Sequence, residues 1–174
     1  IQQRLGRLLS GRGIDLAAGN LWAVPYLFQE LLVEHLYCLE YSLHRLGRLG
    51  PLVLEHYEVP LDQVTLVYGS FYNLNLEDEA LDFVFMSQAF HHAERPLELL
   101  AEVNRVLKRN GTVIIIGEHQ ILTENTPPTD PVLGDHWYKL QQYKEMFEAI
   151  GFSFEHLIRQ QQHLDYQSFI LTKS

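Results

Sequence analysis

The sequence predicts an α/β fold built on a mostly parallel sheet, and three observations carry that expectation. Apolar, β-branched runs alternate with stretches of helical periodicity, the pattern of successive βαβ units. The run Thr112-Val113-Ile114-Ile115-Ile116 is almost wholly apolar, as a strand covered on both faces should be. A small-residue turn, Ala17-Ala18-Gly19, follows the first apolar run, and an acid, Glu40, ends the second.

The elements follow in order. Gln2 to Leu9 reads as a short helix, and Gly13 to Ala17 as the first strand. Asn20 suits a helix cap, and the regular helix is expected from about Pro25 to Leu32, because proline lacks the N–H that a deeper position needs. His35 to Leu39 is the second strand. Leu43 to Leu54 is a weaker helical stretch, expected to break at Gly50 and Pro51. Val64 to Tyr68 and Leu81 to Met86 are the third and fourth strands. Pro96 opens a helix whose Leu97, Leu100, Val103, Val106 and Leu107 share a face. Lys108 and Arg109 fit its C-terminal dipole, and Gly111 fits its stop. Thr112 to Ile116 is the fifth strand. A proline-bearing loop spans Ile121 to Leu133, and a helix carrying Leu140, Tyr143, Met146, Phe147 and Ile150 ends at Gly151. Two closing strands, Phe152 to Ile158 and Tyr166 to Thr172, are too close for a crossover and are expected to pair antiparallel.

Composition bounds the rest. At 174 residues, 47% apolar and 20% charged, the chain fits one domain over residues 1–174 with an ordinary core. The first residue is Ile1 rather than Met, which fits a chain shortened at its N-terminus. No apolar run approaches the roughly 18 residues of a membrane span, so no membrane partner is expected. Cys38 is the single cysteine, which excludes an internal disulfide and fits a buried thiol and a cytoplasmic location. A net charge of −9 repels phosphate backbones, so no nucleic-acid partner is expected and a small molecule is favoured. Arg4, Arg7, Arg12, Arg45 and Arg48 are too scattered to form a basic patch. Oligomeric state leaves no sign in the residues.

In an open α/β sheet, ligands bind beyond the carboxyl ends of the strands. The turn Asp15 to Asn20 reads equally as a tight strand-to-helix connection or as a close ligand approach. Glu40, 21 positions after Gly19, tips this towards a ligand, because an acid at that spacing can accept hydrogen bonds from ribose hydroxyls. The loops after strands three and four, Gly69 to Asn73 and Ser87 to His92, should share the same edge. Phe71 and Phe90 there could flank a flat base or plug the core.

The stretch Asp78 to Glu118 resembles the fourth-strand, helix, fifth-strand block of class I S-adenosylmethionine-dependent methyltransferases of the type 11 kind. The residues that carry this are Asp82-Phe83-Val84-Phe85, Ala89-Phe90-His91-His92 and Arg105-Val106-Leu107-Lys108-Arg109-Asn110-Gly111. The close, Glu145 to Phe152, resembles the family's last helix leading into its terminal strand pair, and the likeness runs from about residue 12 to 173. It implies a Rossmann-like, doubly wound, seven-stranded sheet in order 3-2-1-4-5-7-6 with one antiparallel strand. It also implies S-adenosylmethionine as cofactor, with S-adenosylhomocysteine as product. By the same resemblance Asp15, Ala17 and Gly19 lie under the methionine part, Glu40 holds the ribose, Ser70 and Phe71 meet the adenine, and Ser87 lies beside the methionine portion. Ala17 and Leu21 stand where the family has glycines, Ser70 where it often has aspartate, and Asn110 where it often has glycine.

The implied activity is methyl transfer to a small-molecule acceptor by in-line displacement, in which placement of the acceptor atom is the main task. A base matters only for an acceptor with a proton to lose, and His91, His92, His119 and His136 are the candidates. Histidines with Glu118 and Asp135 could also hold a metal, but their spacing is irregular and no metal site is assigned. The alternative function is a non-catalytic module of the same fold. A nicotinamide-dependent oxidoreductase is disfavoured, because its fingerprint needs three glycines and only Gly19 is present.

Overall fold

The computed structural model describes residues 9–30, 32–119, 129–130, 132, 134–161 and 164–174. The helix expected at Gln2 to Leu9, apart from Leu9 itself, and most of the loop Ile121 to Leu133 fall outside these residues. The strands are β1 (Gly11–Leu16), β2 (Val33–Glu40), β3 (Val64–Tyr68), β4 (Leu81–Ser87), β5 (Leu107–His119), β6 (Phe152–Gln161) and β7 (Leu164–Lys173). The helices are α1 (Val24–Glu30), α2 (Gly50–His56), α3 (Pro96–Val106) and α4 (Leu140–Ile150). All seven strands form one sheet in the order β3-β2-β1-β4-β5-β7-β6. Pairing is parallel from β3 to β5, and β7 runs antiparallel to both β5 and β6.

Strand periodicity builds a core layer on each face. Ile14, Leu16, Val84, Met86, Val113 and Ile115 face α3 and α4, where Leu100, Val103, Tyr143 and Phe147 cover them. Cys38, Phe83, Phe85 and Ile114 face the other way, onto Val24, Leu27, Leu46 and Leu54. Burial raises the Cys38 thiol well above its ordinary value, with Asp15 adding to the effect, so it is an inert core side chain.

Three local expectations are corrected. Asn20 caps nothing, since α1 begins only at Val24. Gly50 and Pro51 do not break the second helix. A π-helical turn, Arg45–Leu49, precedes α2, and the Gly50 N–H donates to the carbonyl five residues back, on Arg45. The wider turn leads Pro51 into the first turn of α2, where its missing N–H costs little. Gly50 itself is required by contact, because a Cβ there would stand 2.7 Å from the Leu21 side chain. Finally, α3 stops at Val106 rather than at Gly111. Buried Leu107 is drawn into the sheet opposite Leu81, and the surplus residues before Thr112 turn at Asn110, whose φ is 61°. Asparagine tolerates that left-handed conformation better than most residues. Lys108 therefore lies in β5, paired with Asp82 at 2.7 Å, and not at a helix end. Among the described residues, no helix is long and apolar enough to cross a membrane.

Candidate functional site

The parallel strands carry their loops to one edge of the sheet, and the first part of the site forms where β1 and β2 end. Ala17, Gly19 and Leu21 all have positive φ, at 58°, 58° and 65°. The turn thus keeps a glycine-type backbone with only one glycine in those three places. Leu21 is held there by burial beneath Gly50. A Cβ added at Gly19 would meet nothing within 4 Å, so its backbone faces open space.

Glu40 ties the turn to the second loop. Its carboxylate accepts hydrogen bonds from the Gly19 N–H (2.9 Å) and the Ser42 N–H (2.8 Å), one on each oxygen, at 2% exposure. Asp15 is equally buried, and burial, with the nearby Glu40 charge, pushes its carboxyl up to about 8. Alongside opens a cavity of about 240 Å³ lined by Ala17, Leu39, Tyr41 and the run Gly69–Tyr72. Ser70 Oγ accepts from the Tyr72 N–H at 3.3 Å, and the Phe71 ring meets Tyr72 edge-on at 4.8 Å.

The structure therefore places Ala17, Ser70 and Phe71 on one cavity, with Gly19 and Glu40 joined by a hydrogen bond beside it and Asp15 buried below. Ser87 ends β4 opposite Ile116 and does not line that cavity. Sequence reasoning missed Tyr41 and Tyr72. Each directly follows a residue singled out, Glu40 and Phe71, and that adjacency was the available signal.

The second part forms where β4 and β5 end. Gly117, with φ 77°, lies in a bulge between Ile115 and Glu118. The extra residue puts Glu118 on the Tyr143 side of the sheet, the side that Ile115 also faces. There the fully buried Glu118 accepts from the Ala89, Phe90 and His91 N–H groups at 3.1 to 3.2 Å. It also pairs with His91 Nδ1 at 2.9 Å and accepts from the Tyr143 hydroxyl at 3.2 Å. Burial pulls the His91 pKa down, but the Glu118 hydrogen bond and the Glu118 and Asp135 charges outweigh it, and the net shift is upward. His92 is half exposed, with Nδ1 2.7 Å from Asp135 Oδ1. Asp135 Oδ2 is 4.0 Å from His91 Nε2. The His136 N–H donates to the His91 carbonyl at 2.7 Å, and its ring stacks on Tyr138. His119 ends β5 opposite Tyr166, and its side chain lies outside the described part. Of the described histidine side chains, His91, His92 and His136 do not line the cavity near Glu40.

Comparison with known proteins agrees with this architecture. The model of a family described as a methyltransferase domain matches residues 14–115, more than half of the chain. No curated protein matches at the sequence level. Among solved structures, an assigned sarcosine dimethylglycine methyltransferase from Galdieria sulphuraria superposes with a TM-score of 0.82 at 18% identity, over 99% of this chain and 83% of that one. An S-adenosylmethionine-dependent methyltransferase from Mesorhizobium loti gives 0.77 at 16% identity, over 99% and 95%. Phosphoethanolamine N-methyltransferase 2 from Haemonchus contortus, solved with S-adenosyl-L-methionine, gives 0.77 at 16% identity, over 97% and 51%.

Proposed function

The chain belongs to the methyltransferase-domain family, and from that premise we propose that it binds S-adenosylmethionine beyond β1, β2 and β3 and passes its methyl group to a small-molecule acceptor. The observation that carries this is Glu40, a buried carboxylate fixed by two backbone amides beside an open cavity.

The residues present fit the cofactor. Each Glu40 oxygen accepts one backbone hydrogen bond and has a further lone pair for a ribose hydroxyl. Tyr41, Phe71 and Leu39 give the cavity flat, apolar walls suited to a base. The open face of Gly19 lets a ligand approach the backbone closely. The Glu40 carboxylate and a net charge of −9 favour a cationic ligand over a phosphate-bearing one.

When bound, S-adenosylmethionine supplies an activated methyl group on a sulfonium. This chain's own part is placement. Ala17 to Leu21 keep a fixed backbone under the ligand, Glu40 sets its rotation, and Phe71 and Tyr72 shield it from water. Ser87, at the end of β4, is assigned to the methionine end. His91, His92, His119 and His136 become proton acceptors only for an acceptor that sheds a proton, and His91 is already committed to Glu118. A cytoplasmic location, a small-molecule acceptor and no nucleic-acid partner belong to the same reading.

Calorimetric titration with S-adenosylmethionine and S-adenosylhomocysteine, with NAD as a control, tests it. Both adenosyl ligands should bind and NAD should not. Glu40→Gln should weaken both at least about ten-fold, or ~1.4 kcal/mol, while the variant still melts cooperatively. A cooperatively folded wild-type chain that binds neither ligand would leave the non-catalytic module as the function.

A further inference from the structure

We propose that His91, His92 and Asp135 form a binding site for a divalent transition-metal ion of the zinc class. The three residues bring together two imidazoles and one carboxylate, with a possible ligand atom from each lying within 4.8 Å of the others. Asp135 spans the pair, with Oδ1 2.7 Å from His92 Nδ1 and Oδ2 4.0 Å from His91 Nε2. On a tetrahedral ion with bonds of about 2.0–2.2 Å, ligand atoms stand roughly 3.3 Å apart. Seating such an ion opens the 2.7 Å separation and draws the other ligand atoms in from at most 4.8 Å.

The surroundings are those of a metal site rather than of a chance surface cluster. His91 uses Nδ1 on Glu118, which sets the tautomer and turns Nε2 towards Asp135. A carboxylate behind a ligating histidine is the usual outer support of a metal. That support is itself rigid, because Glu118 is held by three backbone N–H groups and the Tyr143 hydroxyl. Asp135 is fixed from the other side. Its carbonyl accepts from the Asp130 N–H at 2.7 Å, the Gly134 N–H reaches the Asp130 carbonyl, and the next residue, His136, is pinned to the His91 carbonyl. His92 is half exposed and leaves a path by which an ion and a water or ligand oxygen can enter. His91 and His92 are adjacent and Asp135 lies 43 positions on, so the site has no ligand spacing in sequence. Strand order and the bulge at Gly117 bring it together.

An imidazole ligates only when its coordinating nitrogen is unprotonated, so uptake should strengthen as pH rises through the histidine range. The inference does not depend on cofactor binding, and its test needs no methyl donor. Co²⁺ titration followed by visible absorption, with Zn²⁺ calorimetry, should show one ion per wild-type chain. His92→Ala and Asp135→Asn should each weaken it at least ten-fold. His44→Ala, on an exposed histidine elsewhere, should leave it unchanged. Thermal melts of the apo variants establish that they fold, and His92→Ala, at a half-exposed position, decides the matter if Asp135→Asn does not fold. No saturable uptake by the wild-type chain, or equal affinity in folded His92→Ala, would mean that the three residues are a polar cluster and nothing more.

Discussion

Glu40 and Glu118 occupy matching places in the sheet. Each sits at or near the carboxyl end of a strand, and each reaches across to hold the loop that follows the neighbouring strand. Glu40, on β2, takes the Gly19 N–H of the loop after β1. Glu118, on β5, takes three consecutive N–H groups of the loop after β4. Their surroundings then diverge. Glu40 accepts two backbone bonds beside a cavity, next to a second buried acid. Glu118 is satisfied by backbone, imidazole and hydroxyl donors inside a packed aromatic cluster of Phe90, Tyr143 and Phe147. The same device therefore serves two ends. Glu40 keeps spare lone pairs in a buried position beside a cavity, whereas Glu118 is saturated and positions its neighbours.

The contrast breaks first at Glu118. Glu118→Gln would leave buried amide, imidazole and hydroxyl donors short of acceptors, and should cost about 3–5 kcal/mol of stability. Urea denaturation would measure this, and a loss below about 1 kcal/mol would remove the distinction from Glu40.

The next largest effect concerns pH and Asp15. In the folded chain its carboxyl keeps its proton up to about 8, against an ordinary value of 3.8. The folded state thus binds the extra proton between those values, and stability falls as pH rises across that range. His91 acts in the same direction. Its raised pKa contributes stability below its ordinary 6.5 that is lost as pH climbs through the raised value. Asp15→Asn should remove most of the slope and stabilise the chain at alkaline pH by roughly a few kcal/mol. Urea midpoints measured from about pH 5 to pH 9 that slope equally in wild type and variant would show that Asp15 titrates normally.

The smallest effect is Ala17→Gly. Relief of the positive φ, worth roughly 1–2 kcal/mol, is partly offset by the greater freedom of glycine in the unfolded chain. A net gain of about 0.5 kcal/mol is expected in thermal denaturation. A net loss would place the turn's cost elsewhere, at Leu21.

Much of the molecule was legible in the residues. The strand runs, the pair at the C-terminus and the stop at Gly151, whose φ is 91°, follow from local chemistry, and the structure keeps them. The small-residue turn after the first strand was legible as a turn, but the hydrogen bond from Gly19 to Glu40 was not, since Glu40 was expected to meet a ribose. The errors lie where long-range pairing outweighs propensity. Lys108 to Gly111 have the composition of a helix end, yet Leu107 gains more by burial against Leu81, and the strand starts early. Gly50 and Pro51 have the composition of a break, yet a π turn carries the chain past them.

Sequence alone thus determined the fold class and the acids and small residues at the strand ends, because each depends on periodicity or on neighbours within a few positions; the strand order was implied only by the family resemblance. Only the tertiary structure decided which of those acids lies beside a cavity and which is saturated within the core. A one-residue bulge at Gly117 sets the face on which Glu118 stands, and strand order decides that His91, His92 and Asp135 meet. Side-chain direction in a sheet reverses with every residue, so a single insertion in register, invisible to pattern, changes what a carboxylate can do.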